Sequence, residues 1–90
     1  MRDNLKGRCW LCGTYGPTET HHIFEGSNRK WSDKYGLTVE LCMWCHREGR
    51  NAAHISRETA DYLHTEGQKA FERTYGDRQE FMDIFGKNYL

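Results

Sequence analysis

Two pairs of cysteines, each with the spacing Cys-x2-Cys, constrain the fold of this chain more than any other feature of its sequence. Cys9 and Cys12 form the first pair, and Cys42 and Cys45 form the second. Together they supply the four thiolates that a tetrahedral structural zinc site requires. Residues 13–41 separate the pairs, a longer interval than in a simple zinc ribbon, so we expect two strands between them.

The chain is short enough to need such a cross-link. It has 90 residues, of which 37% are hydrophobic, and a core of that size gives little stability by itself. Zinc binding would add to the free energy of folding, because only the folded state brings the four thiolates together. The sequence contains no repeat, linker or low-complexity stretch. We therefore expect a single domain over residues 1–90.

Other uses of four cysteines are two disulfides, a redox-active dithiol or an attached haem. Residues 1–6 are polar and no long apolar run follows, which favours a cytoplasmic protein without a membrane segment. Disulfides are disfavoured in that compartment. The sequence Cys42-Met43-Trp44-Cys45-His46 also matches the c-type haem attachment pattern. Haem attachment is typical of exported proteins, however, and would leave the first cysteine pair without a role, so we favour zinc.

Two short strands are predicted between the cysteine pairs. The first covers residues 18–24 and carries a pair of adjacent histidines, and a polar loop over residues 25–30 follows it. The second covers Thr38–Leu41, where Val39 and Leu41 alternate with polar residues. It leads directly into the second cysteine pair. A helical turn is expected to begin near His46, until Gly49 and Asn51 interrupt it.

Two helices are predicted after this point. Ser56 is the expected N-cap of the first helix, which Gly76 ends. Asp77 and Glu80 resemble a capping box at the start of the second, which Gly86 ends. We expect both helices to pack over the strands, and His64 to lie on the surface. An apolar stripe along the first helix is expected to consist of Ile55, Tyr62, Leu63, Ala70 and Phe71.

The adjacent histidines His21 and His22 are expected to have separate roles. On a strand, neighbouring side chains point to opposite faces, so the two rings would not chelate one ion as a pair. One ring could bind a metal ion while the other acts as a general base, since histidine titrates close to neutral pH. The alternative is a polar strand whose two histidines are coincidental.

Two further histidines are candidate ligands. His46 directly follows a predicted zinc ligand, so the zinc site would fix its position, either as a metal ligand or as a hydrogen-bond donor to a thiolate. His54 lies too far from His46 along a straight helix to share an ion with it. The break between Gly49 and Asn51 could bring the two together, and otherwise His54 would simply precede the following helix.

The combined pattern of Cys-x2-Cys, His-His-Ile and Leu-Cys-x2-Cys-His resembles the HNH endonucleases that carry a structural zinc, and the resemblance covers about residues 9–54. It implies a small α+β fold. A ββα-metal core, similar to a treble clef and held by a zinc ion on the four cysteines, would be followed by two C-terminal helices over residues 55–90. The final residues, Phe-Gly-Lys-Asn-Tyr-Leu, resemble the ends of small phage and prophage HNH proteins.

The resemblance also implies the roles of individual residues. His21 and His46, with His54 as a further candidate, would hold a catalytic divalent ion, and His22 would be the general base. The family's middle asparagine is missing, because residues 36–41 read Gly-Leu-Thr-Val-Glu-Leu. Asn28 and Asn51 are the candidates to replace it as the residue that orients His22.

The activity implied is metal-dependent hydrolysis of DNA phosphodiester bonds, as nicking or double-strand cleavage with weak sequence preference. The ion would be Mg²⁺, Mn²⁺, Ni²⁺ or Zn²⁺. DNA is the expected partner, with a larger phage or recombination protein as a second, in the cytoplasm of a bacterial host. The net charge is zero, but basic residues cluster around the site, and the alternative interpretation of this cluster is ordinary scatter of surface charge. The expected phosphate contacts are Arg29, Lys30, Arg47 and Arg50. The alternative is an inactive zinc module that binds DNA or a protein.

Overall fold

A two-stranded antiparallel sheet lies at the centre of the computed structural model, which describes all residues from 1 to 90. Strand β1 covers Glu19–His22 and strand β2 covers Thr38–Leu41. In the register of the sheet, His21 faces Val39 and His22 faces Thr38. β2 has the predicted bounds, whereas β1 is shorter than the predicted strand. The result is a small α+β fold that carries a four-cysteine cluster.

The segment predicted as a polar loop is partly helical. A 3₁₀ turn over Gly26–Asn28 leads into helix α1, Arg29–Lys34. The fully buried Ser32 attaches this helix to the end of β1, because its hydroxyl accepts from the Phe24 N–H (2.9 Å) and donates to the Phe24 carbonyl (2.8 Å). The prediction of a loop was wrong because α1 has no apolar periodicity and depends on these tertiary hydrogen bonds.

The helical turn expected at His46 is present over Trp44–Glu48 and ends at Gly49. A side chain at this glycine would collide with its neighbours, since a Cβ there would lie 2.6 Å from the Trp44 ring. The chain therefore leaves the turn at the predicted residue.

Two longer helices complete the chain. Helix α2 covers Arg57–Thr74, and its N-cap Ser56 accepts a hydrogen bond from the Thr59 N–H. Helix α3 covers Arg78–Phe85 and begins with the predicted capping box. Gly86, at φ +83°, ends α3 in a left-handed conformation. No helix of the structure is both long and apolar enough to cross a membrane.

The helices bury their apolar sides against Phe24, which follows β1. The Phe24 ring lies 5.5 Å from that of Phe81 and 4.6 Å from that of Phe85, between ring centroids. α2 contributes the predicted Leu63, Ala70 and Phe71, all buried. Two members of the predicted stripe are exposed instead, namely Ile55 (58%) and Tyr62 (50%). Ile55 precedes α2, and Tyr62 is rotated about 100° from Leu63 around the helix.

His64 is half-buried, which corrects its predicted place on the surface. Its ring stacks on Phe24 at 5.3 Å with an interplanar angle of 17°, and lies 4.7 Å from the Tyr89 ring. Burial lowers the pKa of His64. The C-terminal segment covers the His64 ring. This segment is attached to α2 because the Tyr89 N–H donates to the side chain of the buried Gln68. The apolar pattern of α2 does not show that the C-terminal segment packs against this helix, so the burial of His64 was not predicted.

Substituting Gly67 of α2 tests this packing. In Gly67→Ala the new Cβ would lie 2.9 Å from Phe24 Cε2 and 3.0 Å from Ile23 Cγ2. Overpacking of a core costs about 1–3 kcal/mol, whereas alanine improves helix propensity by about 1 kcal/mol. We expect a net loss of about 1 kcal/mol in the free energy of unfolding, measured by urea denaturation. The exposed Lys69→Ala on the same helix should change it by less than about 0.5 kcal/mol. An increase in stability for Gly67→Ala would contradict the rigid placement of Phe24.

Candidate metal centres

The four cysteines meet in one cluster, as the sequence predicted. The Sγ atoms of all four residues lie within 4.8 Å of one another, and no cysteine forms a disulfide. The Cys12 and Cys42 sulfurs are 3.8 Å apart. Four sulfurs at about 2.3 Å from a tetrahedral zinc would be separated by roughly 3.8 Å, so the cluster fits a structural zinc ion.

Backbone amides point at the sulfurs in both cysteine pairs. The Cys12 N–H lies 3.5 Å from Cys9 Sγ, and the Cys45 N–H lies 3.5 Å from Cys42 Sγ. Donors of this kind stabilise thiolates and orient them towards a metal. The hydroxyl of Thr14 is 3.2 Å from Cys12 Sγ, and its hydrogen bond lowers the pKa of Cys12 to about 6. The first pair is joined to the sheet because the Trp10 N–H donates to the carbonyl of Glu40 in β2.

Three histidines form a second cluster with no cysteine in it. One ring nitrogen from each of His21, His46 and His54 lies within 4.8 Å of the other two. The Nε2 atoms of His46 and His54 are 3.0 Å apart. Two nitrogens that bind one tetrahedral zinc at about 2.0–2.1 Å lie roughly 3.3 Å apart, so a small adjustment of the rings fits an ion. The three residues expected to share a metal are therefore adjacent.

A reversal of the chain brings His54 back to His46. After Gly49 the backbone turns and runs beside the preceding helical turn. The Ala53 N–H donates to the Cys45 carbonyl at 2.7 Å, and the His54 N–H donates to the His46 carbonyl at 3.0 Å. The sequence indicated such a break but did not decide whether it would return His54 to the site.

His21 has the character of a metal ligand. Its side chain is 4% exposed, and its Nδ1 is buried without a hydrogen-bond partner. A buried polar nitrogen left unpaired is destabilising, and a cation bound to that nitrogen would remove the cost. Burial, together with the nearby His46 and His54, lowers the pKa of His21 to about 3. The ring is therefore neutral near physiological pH, which is the form that binds metals.

A carboxylate that sequence analysis missed supports His46. Glu19 Oε1 lies 2.8 Å from His46 Nδ1, while the other nitrogen of that ring faces His54. Carboxylates in this position fix the orientation of a metal-binding imidazole and make it a better ligand. A signal was available in the sequence, since Glu19 precedes His21 by two residues and so lies on the same face of β1.

Arg47 holds the other side of this carboxylate. Its Nε is 3.0 Å from Glu19 Oε1 and its Nη2 is 2.9 Å from Glu19 Oε2. Hydrogen bonds from Arg47 and then from His46 lower the pKa of Glu19 to about 2. The predicted phosphate contact Arg47 thus pairs with Glu19, while half of its side chain stays exposed. The other predicted phosphate contacts, Arg29, Lys30 and Arg50, are exposed and have no carboxylate partner.

His22 is not a member of the cluster and contacts a different partner. Its Nε2 lies 2.7 Å from Oδ1 of Asp33 in α1. Neither asparagine proposed to orient His22 does so. The Asn28 side chain donates to the Phe85 carbonyl, and Asn51 contributes its backbone carbonyl to the Thr59 hydroxyl. Asp33 escaped sequence analysis because the helix that carries it was not predicted.

Comparisons of the chain with protein-family models, with curated proteins and with solved structures found no match. The chemistry of the two clusters therefore rests on their geometry.

We expect the protein to bind two metal ions of different affinity. Purified protein should retain one zinc through dialysis against a mild chelator, and titration calorimetry with Zn²⁺ or Co²⁺ should then reveal one weaker site. His46→Ala should abolish only the weaker site, whereas Cys42→Ser should lower zinc content and unfold the domain, as followed by circular dichroism. A single site in the wild-type protein would contradict this expectation.

The carboxylate of Glu19 should raise the affinity of the weaker site. Glu19→Gln keeps the shape of the side chain but removes the charge beside His46. Removal of a carboxylate that contacts a metal-binding histidine typically lowers metal affinity about 10–100-fold, and we expect that decrease at the weaker site. Glu48→Gln is the matched control, because Glu48 also pairs with Arg47 (3.6 Å) but does not contact a histidine. Equal affinities for the two variants in calorimetry would show that Glu19 has no special role.

Proposed function

We propose that the protein is a metal-dependent endonuclease of the HNH type. The observation that supports this most strongly is the cluster of His21, His46 and His54 beside a separate four-cysteine site. A zinc module needs only the cysteines for its fold. A second site built from three imidazoles, one of them buried with an unpaired nitrogen, favours a protein that uses a metal ion in chemistry.

The order of the elements supports the same proposal. β1 supplies the adjacent histidines, β2 leads into the second cysteine pair, and the helical turn over Trp44–Glu48 supplies the distal ligand. This arrangement is the one implied by a ββα-metal core. The helices α2 and α3 then form a C-terminal extension that completes the hydrophobic core.

Hydrolysis of a phosphodiester requires a deprotonated water and relief of negative charge on the phosphate. We assign proton abstraction to His22, whose ring is held outside the ligand cluster and so keeps a nitrogen for the water. His21, His46 and His54 would hold a divalent ion, which when bound stabilises charge on the phosphate and on the leaving 3′ oxygen. The imidazoles admit Zn²⁺, Ni²⁺ or Mn²⁺, and Mg²⁺ where water and phosphate complete its coordination.

DNA would be held through its backbone. Arg29 and Lys30 begin α1, the helix that also carries Asp33, so the helix that contacts His22 would also contact phosphate. Arg50 lies in the chain reversal between His46 and His54. Contacts of this type carry no sequence information, which is why we expect weak sequence preference. As part of the same proposal, the protein acts in the cytoplasm of a bacterial host, is encoded by a phage and works with a larger partner protein.

The second candidate is a zinc module that binds DNA or a protein without catalysis. It is favoured by the exposed Trp44, which is 67% accessible beside the four-cysteine site and offers a surface for a partner. A non-catalytic zinc module, however, gives the cluster of His21, His46 and His54 no function.

Conversion of supercoiled plasmid tests the proposed activity. Wild-type protein should nick or linearise the plasmid with at least one of Mg²⁺, Mn²⁺, Ni²⁺ and Zn²⁺. His22→Ala should lower the rate about 10²–10⁴-fold, the range typical of a lost general base, without changing metal binding. Lys69→Ala, on the exposed side of α2, is the control and should cleave like wild type. A folded protein with two bound ions that cleaves with none of the metals would favour the non-catalytic module.

A further inference from the structure

We propose that Asp33 positions the general base, by holding the proton of the His22 ring on Nε2 and leaving Nδ1 to accept the proton of water. This inference rests on the proposed nuclease function. It concerns a residue that the sequence motif does not contain, and it gives α1 a role in the reaction.

The contact is short and joins two separate elements. Asp33 Oδ1 in α1 lies 2.7 Å from His22 Nε2 in β1. The two side chains differ in exposure, since 14% of the His22 side chain and 64% of the Asp33 side chain are accessible. The imidazole is thus largely enclosed while the carboxylate is exposed. A carboxylate acts only as a hydrogen-bond acceptor.

The direction of this hydrogen bond fixes the tautomer. Because the carboxylate only accepts, His22 must donate Nε2–H. A neutral imidazole has one N–H, so Nδ1 then carries the lone pair. Nδ1 makes no hydrogen bond in the structure, and it is not among the buried ring nitrogens that lack a partner, which are those of His21 and His64. It is therefore accessible to water, as a general base requires.

The residue before Asp33 fixes the backbone of α1 next to His22. Ser32 is fully buried, bonds both backbone groups of Phe24, and accepts the Leu37 N–H through its carbonyl at 2.8 Å. α1 is thus attached to the end of β1 only two residues beyond His22. This support keeps the Asp33 backbone beside His22, and attachment to a fixed element is what a preorganised site needs.

Nuclear magnetic resonance of ¹⁵N-labelled, zinc-loaded protein tests the tautomer without any assay of cleavage. In mildly alkaline buffer, two-bond ¹H–¹⁵N spectra should show His22 protonated on Nε2, with assignment from the His22→Asn variant. The Nε2 proton should resist exchange with water in wild type and exchange too fast to observe in Asp33→Ala. A proton on Nδ1, or an equally protected proton in Asp33→Ala, would overturn the inference.

Cleavage kinetics test the role. Asp33→Ala should lower kcat about 10–100-fold with KM and metal affinity unchanged, and Asp33→Glu should recover most of the loss because it restores a carboxylate. Asp61→Ala is the matched control, since Asp61 is also 64% exposed and lies 3.9 Å from another histidine, His64. Equal kcat for Asp33→Ala and wild type would refute the role. If circular dichroism shows that Asp33→Ala is unstable, the kcat of Asp33→Glu is used to test the role instead. A kcat of Asp33→Glu as low as that of His22→Ala would refute the inference.

The two proposals fail in different ways. Absence of cleavage by the wild-type protein would refute the nuclease proposal, and with it the role of Asp33 in that reaction. Cleavage that depends on His22 but not on Asp33 would refute only the positioning role. The tautomer experiment reports on the pair in either case.

Discussion

The cross-link between the two cysteine pairs is the interaction on which the rest of the structure depends. It joins residues near the N-terminus to the end of β2 and the start of the helical turn that carries His46. A chain of this length has a small apolar core, so a zinc ion bound by four thiolates would contribute a large part of the folding free energy. Because His46 directly follows Cys45, the same cross-link sets the position of the histidine cluster.

The two clusters differ in donor chemistry and therefore in the role each can have. Four thiolates form a closed set that holds zinc tightly and leaves no coordination position open. Three imidazoles leave a position for water or substrate and accept several divalent ions. One helical turn contributes Cys45 to the sulfur cluster and His46 to the nitrogen cluster, so the two candidate metal sites lie next to each other.

Two carboxylates contact the histidines, one on each face of β1. Glu19 contacts the ring of His46 and is itself held by Arg47, whereas Asp33 contacts His22. The alternation of side chains along the strand is what keeps these two systems apart. The neighbouring histidines of this short strand thus belong to two different groups of side chains, His21 with His46 and His54, and His22 with Asp33.

Local features of the sequence determined much of this protein. The cysteine spacing predicted the sulfur cluster, the alternation around Val39 gave β2 its bounds, and Ser56, Asp77 and Gly86 marked the ends of the helices, because caps and turns depend on a few adjacent residues. The short helix α1, the burial of His64, the return of His54 and the partners Glu19 and Asp33 depend on contacts between residues far apart in the chain. Only the tertiary structure decided these, since a hydrogen bond such as that from Ser32 to Phe24 leaves no periodic trace in the sequence.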